Sequence, residues 1–586
     1  MSTEEPSIVS DVSIVAVGIL FLLGLLVLGV RLKVVQLDGA ARYNDDNARQ
    51  SVRRVRTDGA RGRILDRRGR VLADNRVVHS IVVCPESFQC RTWAETVDRI
   101  SNAVCRVAEC VGRSSALKGR DISRHVNQRL PMPLTAWHEV TESELARFCE
   151  HADEYPGFEC IDRVERVYPF GPLAAHAIGY VGRARGESDA GGRFNFVLDE
   201  IRGRSGLEYY YDDYLRGVPG ELRMVVDARG FTTREQTVVE PRRGPDLRLT
   251  IDADVQRVVE RQLEGVWGAC AVIDPRDGSV LALASRPTFD PNDFVPVLRS
   301  EFYDALCSAP GKPLLNRATG GAYAPGSTFK PVTALAALRA GWSEDELYCC
   351  EGAYGRGAGR LRCTRTWGHG DLDLVDALKV SCNAYFCNLG CEVGTNAVCS
   401  AARDLGLGSR TDVDLPVDRA GVVPDDGWKM KAYGNSWVRS DLVQMSIGQG
   451  MLLASPLQMA LVVGAIGTGR LATPRLNAGT APVSPRRIPF SDGHLAVVRE
   501  GMRRVAAEGT GIRGSSGLAV RIAGKTGTAE VGRGATRRKN TWFIAYAPFE
   551  SPTVAVALVV ENGESGGATA APRVRNILAS IFGESE

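Results

Sequence analysis

A chain of 586 residues and 63.3 kDa is longer than one hydrophobic core usually organises, so it divides into at least two domains. With 44% hydrophobic and 24% charged residues it reads as globular, which excludes a disordered tail protein, a collagen or a polytopic membrane protein. Lys and Arg at 72 against Asp and Glu at 69 leave a net charge of +3, too balanced for a protein that lives on phosphate backbones, so no nucleic-acid partner is expected.

The first element runs from Val12 to Val30, 19 residues without a charge, about 28 Å of helix at 1.5 Å per residue. It reads as one membrane-spanning helix behind a short cytoplasmic tail, residues 1–11. A cleaved signal peptide needs a basic start and a shorter apolar run, whereas Glu4, Glu5 and Asp11 precede this one and Arg31 follows it. The flanks oppose one expectation. Arg31, Lys33, Arg42 and Arg49 follow the span and no Lys or Arg precedes it, so the positive-inside rule would leave the bulk in the cytoplasm.

Residues 31–245 alternate short apolar runs with Arg- and Gly-rich turns, among them Arg61-Gly-Arg-Ile-Leu-Asp66-Arg-Arg-Gly69 and a hairpin-like Leu222 to Gly230. They carry no phosphate loop and no catalytic signature, and read as a structural module. Residues 246–586 read as the catalytic domain. Leu247 to Ile251 predicts a strand, and Val255, Val258, Val259, Leu263 and Val266 one face of a helix. Cys270 to Asp274 and Ser279 to Leu283 flank a Pro-Arg-Asp-Gly turn and predict a hairpin. Val520 to Ala523, Thr541 to Ala547 and Thr553 to Val560 predict three further strands, and Arg573 to Phe582 a closing helix. The expected fold class is α+β, an antiparallel sheet with helices on both faces.

Three polar constellations stand in this domain. Ser327-Thr-Phe-Lys330 opens an apolar helix after Pro325-Gly326, which puts Ser327 and Lys330 on one face of its first turn, where a hydroxyl and an amine can share a proton. Serine needs such a base, and lysine serves only where burial or a second cation keeps it neutral. Ser381-Cys-Asn383 lies between two helical stretches, a hydroxyl for proton relay and an amide for a peptide carbonyl. Lys525-Thr526-Gly527-Thr528, at the end of a predicted strand, offers a cation and two hydroxyls to an anion beside a glycine that permits close approach. Each motif is weak alone; their order within one domain is not. A rival serine elbow, Gly563-Glu-Ser565-Gly-Gly567, fails because its histidine must follow the serine and the last histidine is His494.

Together these motifs resemble the penicilloyl-serine transferases, and Tyr323 to Pro331 with Ser446-Ile-Gly-Gln-Gly450 is similar to penicillin-binding proteins. Arg61 to Gly69, His176-Ala-Ile-Gly-Tyr180 and Gly206-Leu-Glu208 resemble the pedestal, or dimerisation, module of the class B members, and Trp367-Gly-His-Gly370 resembles the cell-elongation type, penicillin-binding protein 2. Ser455, where the family commonly has Thr, is a mild departure. The resemblance implies peptidoglycan D,D-transpeptidation on a single-pass protein of the bacterial inner membrane, with the catalytic domain outside the cytoplasm. Ser327 would be the nucleophile that stem peptides and β-lactams acylate, Lys330 the general base, Ser381 and Lys525 a proton route, and Asn383 part of the same constellation. Thr526, Gly527 and Thr528 would bind the terminal carboxylate side of the substrate, with the Ser327 and Thr528 N–H groups as the oxyanion hole. It further implies a membrane glycan polymerase as partner. A division- or sporulation-type transpeptidase, or a non-catalytic scaffold or β-lactam sensor, is the alternative.

Fifteen cysteines cannot all pair within one chain, and seven lie between residues 349 and 399. Cys350, Cys363, His369 and Cys382, separated by 12, 5 and 12 residues, make the Cys3His set that suits a structural zinc. A Cys350–Cys363 disulfide or plain buried thiols are the alternatives, and Cys349 is the alternative to Cys350, which the family's Cys-x-Gly pattern favours. Some penicillin-binding protein 2 enzymes are understood to hold a metal in this region. Cys387 and Cys391 read as small core residues on a helix.

Overall fold

The computed structural model describes residues 11–38, 51–128, 130, 132–185, 194, 199–227, 231–296, 298–355, 360–532 and 537–583. The tail expected at residues 1–11 lies outside them except for Asp11, as do Arg42, Arg49 and the 228–230 turn of the predicted Leu222 to Gly230 hairpin. The apolar run forms α1 (Asp11–Lys33), and none of its spanning window is buried.

Strands β1 (Val52–Thr57), β2 (Ile64–Leu65), β3 (Val71–Val83), β4 (Leu134–Trp137), β5 (Phe158–Val167), β6 (Gly220–Val226), β7 (Thr232–Val239) and β8 (Leu247–Arg248) build the first half. One sheet runs β1-β6-β7 and a second β8-β2-β3-β4, with β5 also paired to β3. The strand expected at 247–251 therefore forms over two residues, and it joins this sheet in parallel with β2. The Arg-Gly motif is structural: the buried Arg61 guanidinium meets Glu208 at 2.8 Å and Asp212 at 2.7 Å, and Arg166 meets the other oxygen of Glu208 at 2.7 Å. Buried charge is tolerated here because each carboxylate oxygen of Glu208 has a guanidinium partner.

The second half is one antiparallel sheet. Its strands are β9 (Gly268–Ile273), β10 (Val280–Arg286), and, past a small ribbon of β11 (Tyr348–Cys350) and β12 (Gly370–Leu372), β13 (Ala523–Val531), β14 (Arg538–Ala547) and β15 (Val554–Glu561). Their spatial order is β10-β9-β15-β14-β13, which leaves β13 at an edge. Between the strand groups come α2 (Lys330–Arg339), α3 (Leu374–Lys379), α4 (Asn383–Asp404), α5 (Arg439–Ser446), α6 (Pro456–Thr468) and α7 (Asp492–Glu508), and α8 (Ala571–Ile581) closes the chain. Strands β9, β14 and β15 are buried on both faces: Ala271, Ile544 and Val559 pack with α2 and α6, while Cys270, Phe543 and Leu558 pack with α8. The α+β class, with helices on both faces, follows from that double burial.

Two expectations shift. The strand placed at Val520 to Ala523 begins only at Ala523 and carries Lys525 to Thr528 in its middle. Its two glycines and four hydroxyl or charged residues give little β signal, and nine registered pairs with β14 hold it extended instead. Ser327 sits in a separate 3-10 turn, Gly326–Phe329, that leads into α2. At three residues per turn this still stacks Ser327 under Lys330.

Candidate active site

Ser327 is held by its neighbours in sequence. Gly326 takes a left-handed φ of 57°, and a Cβ there would lie 2.9 Å from the Thr528 carbonyl oxygen, so only glycine fits. The Gly326 N–H donates to the Gly448 carbonyl (2.8 Å), and the Trp542 indole N–H to the Ala324 carbonyl (3.0 Å), tying the serine turn to both walls of the cleft. Tyr323 and Arg317 both bond Glu561 on β15, at 2.8 and 2.9 Å.

Lys330 and Lys525 are both fully buried. Lys330 Nζ donates to Ser381 O (2.7 Å), Asn383 Oδ1 (2.8 Å) and Ser381 Oγ (3.3 Å); Lys525 Nζ donates to Ser381 Oγ (2.9 Å) and Thr526 O (3.1 Å). Burial pushes Lys330 down to about 8, and burial with the adjacent Lys330 charge holds Lys525 well below the ordinary ammonium range. The two lysines thus meet on one hydroxyl, Ser381. In this resting arrangement Lys330 bonds Ser381 and Asn383 rather than Ser327; catalytic hydrogen bonds often close only on a bound substrate.

Ser381 itself is left-handed, φ 56°, in the short link between α3 and α4. A β-substituted residue held there stores strain, which the surrounding bonds must offset. Cys382 next to it caps α4, accepting the Tyr385 N–H, and Asn383 Nδ2 donates to the Arg362 carbonyl at 2.9 Å.

Across the cleft, the register pairs Lys525, Thr526, Gly527 and Thr528 with Ile544, Phe543, Trp542 and Thr541. A Cβ on Gly527 would stand 2.8 Å from Pro325 O and from Thr328 Cγ2, so the glycine lets the edge strand lie against the serine turn. The Thr526 hydroxyl shares a 2.6 Å bond with Thr510, a residue that no sequence motif marked. Ser327, Ser381, Asn383, Gln449 and Thr526 to Thr528 line one cavity of about 1360 Å³. Ser565, the discarded elbow serine, sits on its rim and caps a helical turn by accepting the Ala568 N–H.

The cysteine cluster assembles beside this cavity. Cys350 Sγ lies 3.6 Å from Cys363 Sγ and 3.4 Å from His369 Nδ1, and Cys363 Sγ 3.7 Å from Cys382 Sγ; all four atoms fall within 4.8 Å of one another. A tetrahedron with metal–sulfur bonds of about 2.3 Å and a metal–nitrogen bond of about 2.0 Å has edges of about 3.5–3.8 Å, so the donor set fits zinc. The Cys382 thiol and the Ala384 N–H, which donate to Cys363, hold its sulfur toward the thiolate. None of the fifteen cysteines is in a disulfide, and Cys349 is exposed while Cys350 is buried with the cluster. Cys387 is buried in the core and Cys391 partly so.

A buried lysine pair converging on one hydroxyl, beside a serine turn and an edge strand with Thr-Gly-Thr, is the apparatus of a serine acyl transferase. Residues 268–579 match the family described as the penicillin binding protein transpeptidase domain, and residues 56–249 the penicillin-binding protein dimerisation domain. The chain is 32% identical over 619 residues to the peptidoglycan D,D-transpeptidase MrdA of Escherichia coli strain K12, covering 99% of this chain and 95% of that one. Among solved structures it is similar to the complex of PBP2 with MreC from Helicobacter pylori, at TM-score 0.77 and 26% identity over 91% of this chain and 99% of that one. It is also similar to a peptidoglycan synthase complex that coordinates polymerization and crosslinking, at TM-score 0.72 and 30% identity over 98% and 99%. The chain belongs to the class B penicillin-binding proteins of the cell-elongation type, penicillin-binding protein 2. These relatives weigh against the division- and sporulation-type alternatives, and acyl transfer of this kind needs no cofactor.

Proposed function

We propose that this enzyme, a D,D-transpeptidase of cell-wall elongation, works through Ser327 as its covalent nucleophile. Neutral Lys330 takes the Ser327 proton as Oγ bonds the penultimate D-Ala carbonyl carbon. The oxyanion faces the N–H groups of Ser327 and Thr528. The carbon–nitrogen bond breaks, and the leaving D-Ala amine receives a proton through Ser381, which Lys330 and Lys525 both reach. An amine from a second stem then attacks the acyl-enzyme, gives up its proton by the same route and releases Ser327. Thr526 and Thr528 hydroxyls with Lys525 receive the terminal carboxylate, Gly527 keeps that strand close, and Asn383 holds the peptide amide. The observation that carries this reading is the fully buried Lys330–Ser381–Lys525 chain. Treating the protein with a β-lactam and digesting it should give one adduct, on Ser327, lost in Ser327→Ala. An adduct elsewhere, or one undiminished in the variant, sinks the assignment.

The reading extends to the rest of the chain. Residues 12–30 anchor it in the bacterial inner membrane behind a cytoplasmic tail, residues 31–245 act as pedestal, and residues 246–586 form the extracytoplasmic transpeptidase domain. Cys350, Cys363, His369 and Cys382 hold one structural zinc, whose bond to Cys382 fixes the link that carries Ser381 and Asn383. The solved peptidoglycan synthase complex to which the chain is similar supports a membrane glycan polymerase as partner.

A further inference from the structure

Strand β13 is the free edge of the catalytic sheet, and in an antiparallel strand the N–H and C=O of one residue point the same way. The Thr528 carbonyl turns away from β14, toward the serine turn, so the Thr528 N–H does too. A substrate strand laid along this edge would form a hydrogen-bonded pair with Thr528. The residue under attack would accept from the Thr528 N–H with its carbonyl and donate its own N–H to the Thr528 carbonyl. Half of that pair is already made within the protein: the Gln449 side-chain amide donates to Thr528 O at 3.1 Å.

We infer that Gln449 is a stand-in for the substrate amide, a specificity-determining side chain that every amide-bearing acyl donor must displace from Thr528. Its setting suits the part. Gly448 and Gly450 flank it, both left-handed at φ 73° and 74°, and a Cβ on Gly448 would come within 2.0 Å of Gly326 O. The Gln449 backbone is fixed by its N–H to Gln444 O (2.9 Å), while its side chain is half-buried and lines the open cavity, so the amide can swing without moving the chain. The competition lowers apparent affinity by the fraction of molecules in which the carbonyl is free. It touches only ligands that need that carbonyl. Penicillins and cephalosporins carry an acylamino N–H beside the lactam carbonyl; carbapenems carry a hydroxyethyl group there and have no N–H to offer.

This rests on Ser327 and Thr528 in the roles proposed above, and the test separates the two. Second-order acylation rates of the full-length protein are measured with an acylamino penicillin and with a carbapenem. Gln449→Ala is compared with Gln449→Met, which keeps the length and loses the N–H, and the melting of both is recorded. The penicillin rate should rise about three- to tenfold, the worth of one hydrogen bond, with the carbapenem rate within about twofold of wild type. For a depsipeptide or thioester donor with the same amide, KM should fall by a similar factor at unchanged kcat. An equal change for both β-lactams, or a selective loss for the penicillin, overturns the inference. A wild-type protein acylated by neither β-lactam would instead overturn the Ser327 reading.

Discussion

Lys330 and Lys525 are both fully buried and bonded to the same hydroxyl, so the pH dependence of acylation is what tests Lys330 as the base. Burial pushes Lys330 down to about 8, and burial together with the Lys330 charge holds Lys525 well below the ordinary ammonium range. If Lys330 is the base, only its uncharged form accepts the serine proton. Below its pKa that fraction grows tenfold per pH unit, so β-lactam acylation should rise about tenfold between pH 6 and 7, slow near 8 and level off above about 9. A flat profile over that range would overturn Lys330 as the base. Ser381 is the other residue whose role can be isolated, because its backbone and its hydroxyl do different things. Its left-handed φ costs about 1 kcal/mol or more that a glycine avoids. Ser381→Gly should therefore melt about two degrees above Ser381→Ala, while both lose about a hundredfold or more in acylation. A glycine variant clearly less stable than the alanine one would mean that the hydroxyl, through its bonds to the lysines, outweighs the strain.

At the scale of elements, the link between α3 and α4 is where the proposed catalytic residues and the cysteine cluster interleave, Cys382 lying between Ser381 and Asn383. A zinc bound by the cluster would fix this link through the sulfur, so Cys382→Ser should lower melting temperature and Ser327 acylation together, and do so more than Cys391→Ser. Elemental analysis of untagged protein should find one zinc per chain; no zinc with Cys350 disulfide-linked to Cys363 would make the site a staple. The grouping of Cys350, Cys363, His369 and Cys382 was legible because three thiols and an imidazole recur within one short stretch. The same holds for the serine turn, whose glycine and lysine sit at fixed offsets. The edge strand was not legible in the right place. Ala523 to Val531 lacks the alternation of a strand because its extended form comes from β14, whose partners of Lys525 to Thr528 lie 13 to 19 positions downstream, and from the serine turn packed against it. Thr510 and Arg362 also escaped notice, since a lone hydroxyl and a backbone carbonyl carry no pattern; only the folded chain brings them to Thr526 and Asn383. Gln449 lay inside a quoted motif, yet its contact with Thr528 spans 79 positions.

The whole molecule behaves as one body beyond α1, which bears on the side of the membrane it occupies. Pedestal and catalytic half are joined by bonds too numerous and too buried to let them part across a bilayer. Arg70 reaches Asp254 at 2.6 Å and Asp252 at 3.2 Å, Asn292 exchanges 2.9 Å bonds with both backbone groups of Tyr168, and buried Glu260 accepts the Ala174 N–H at 2.7 Å. Residues from β1 onward must therefore share a compartment. Among the described residues α1 is the one helix long and apolar enough to span a membrane, about 35 Å at 1.5 Å per residue. Arg31 and Lys33 in its last turn favour retention on the cytoplasmic side, yet that preference governs short loops, and large domains translocate largely regardless of charge. The substrate decides the matter if the Ser327 reading holds, because stem peptides are cross-linked outside the membrane. An alkaline phosphatase joined to the C-terminus should then be active and a fluorescent cytoplasmic reporter at the same position dark. Replacing Arg31 and Lys33 by Gln should leave the phosphatase signal unchanged or raise it, since it removes two of the four flanking charges that oppose export. A silent phosphatase beside a bright cytoplasmic reporter would place the catalytic domain with the positive flank and separate this chain from the stem peptides proposed to acylate Ser327.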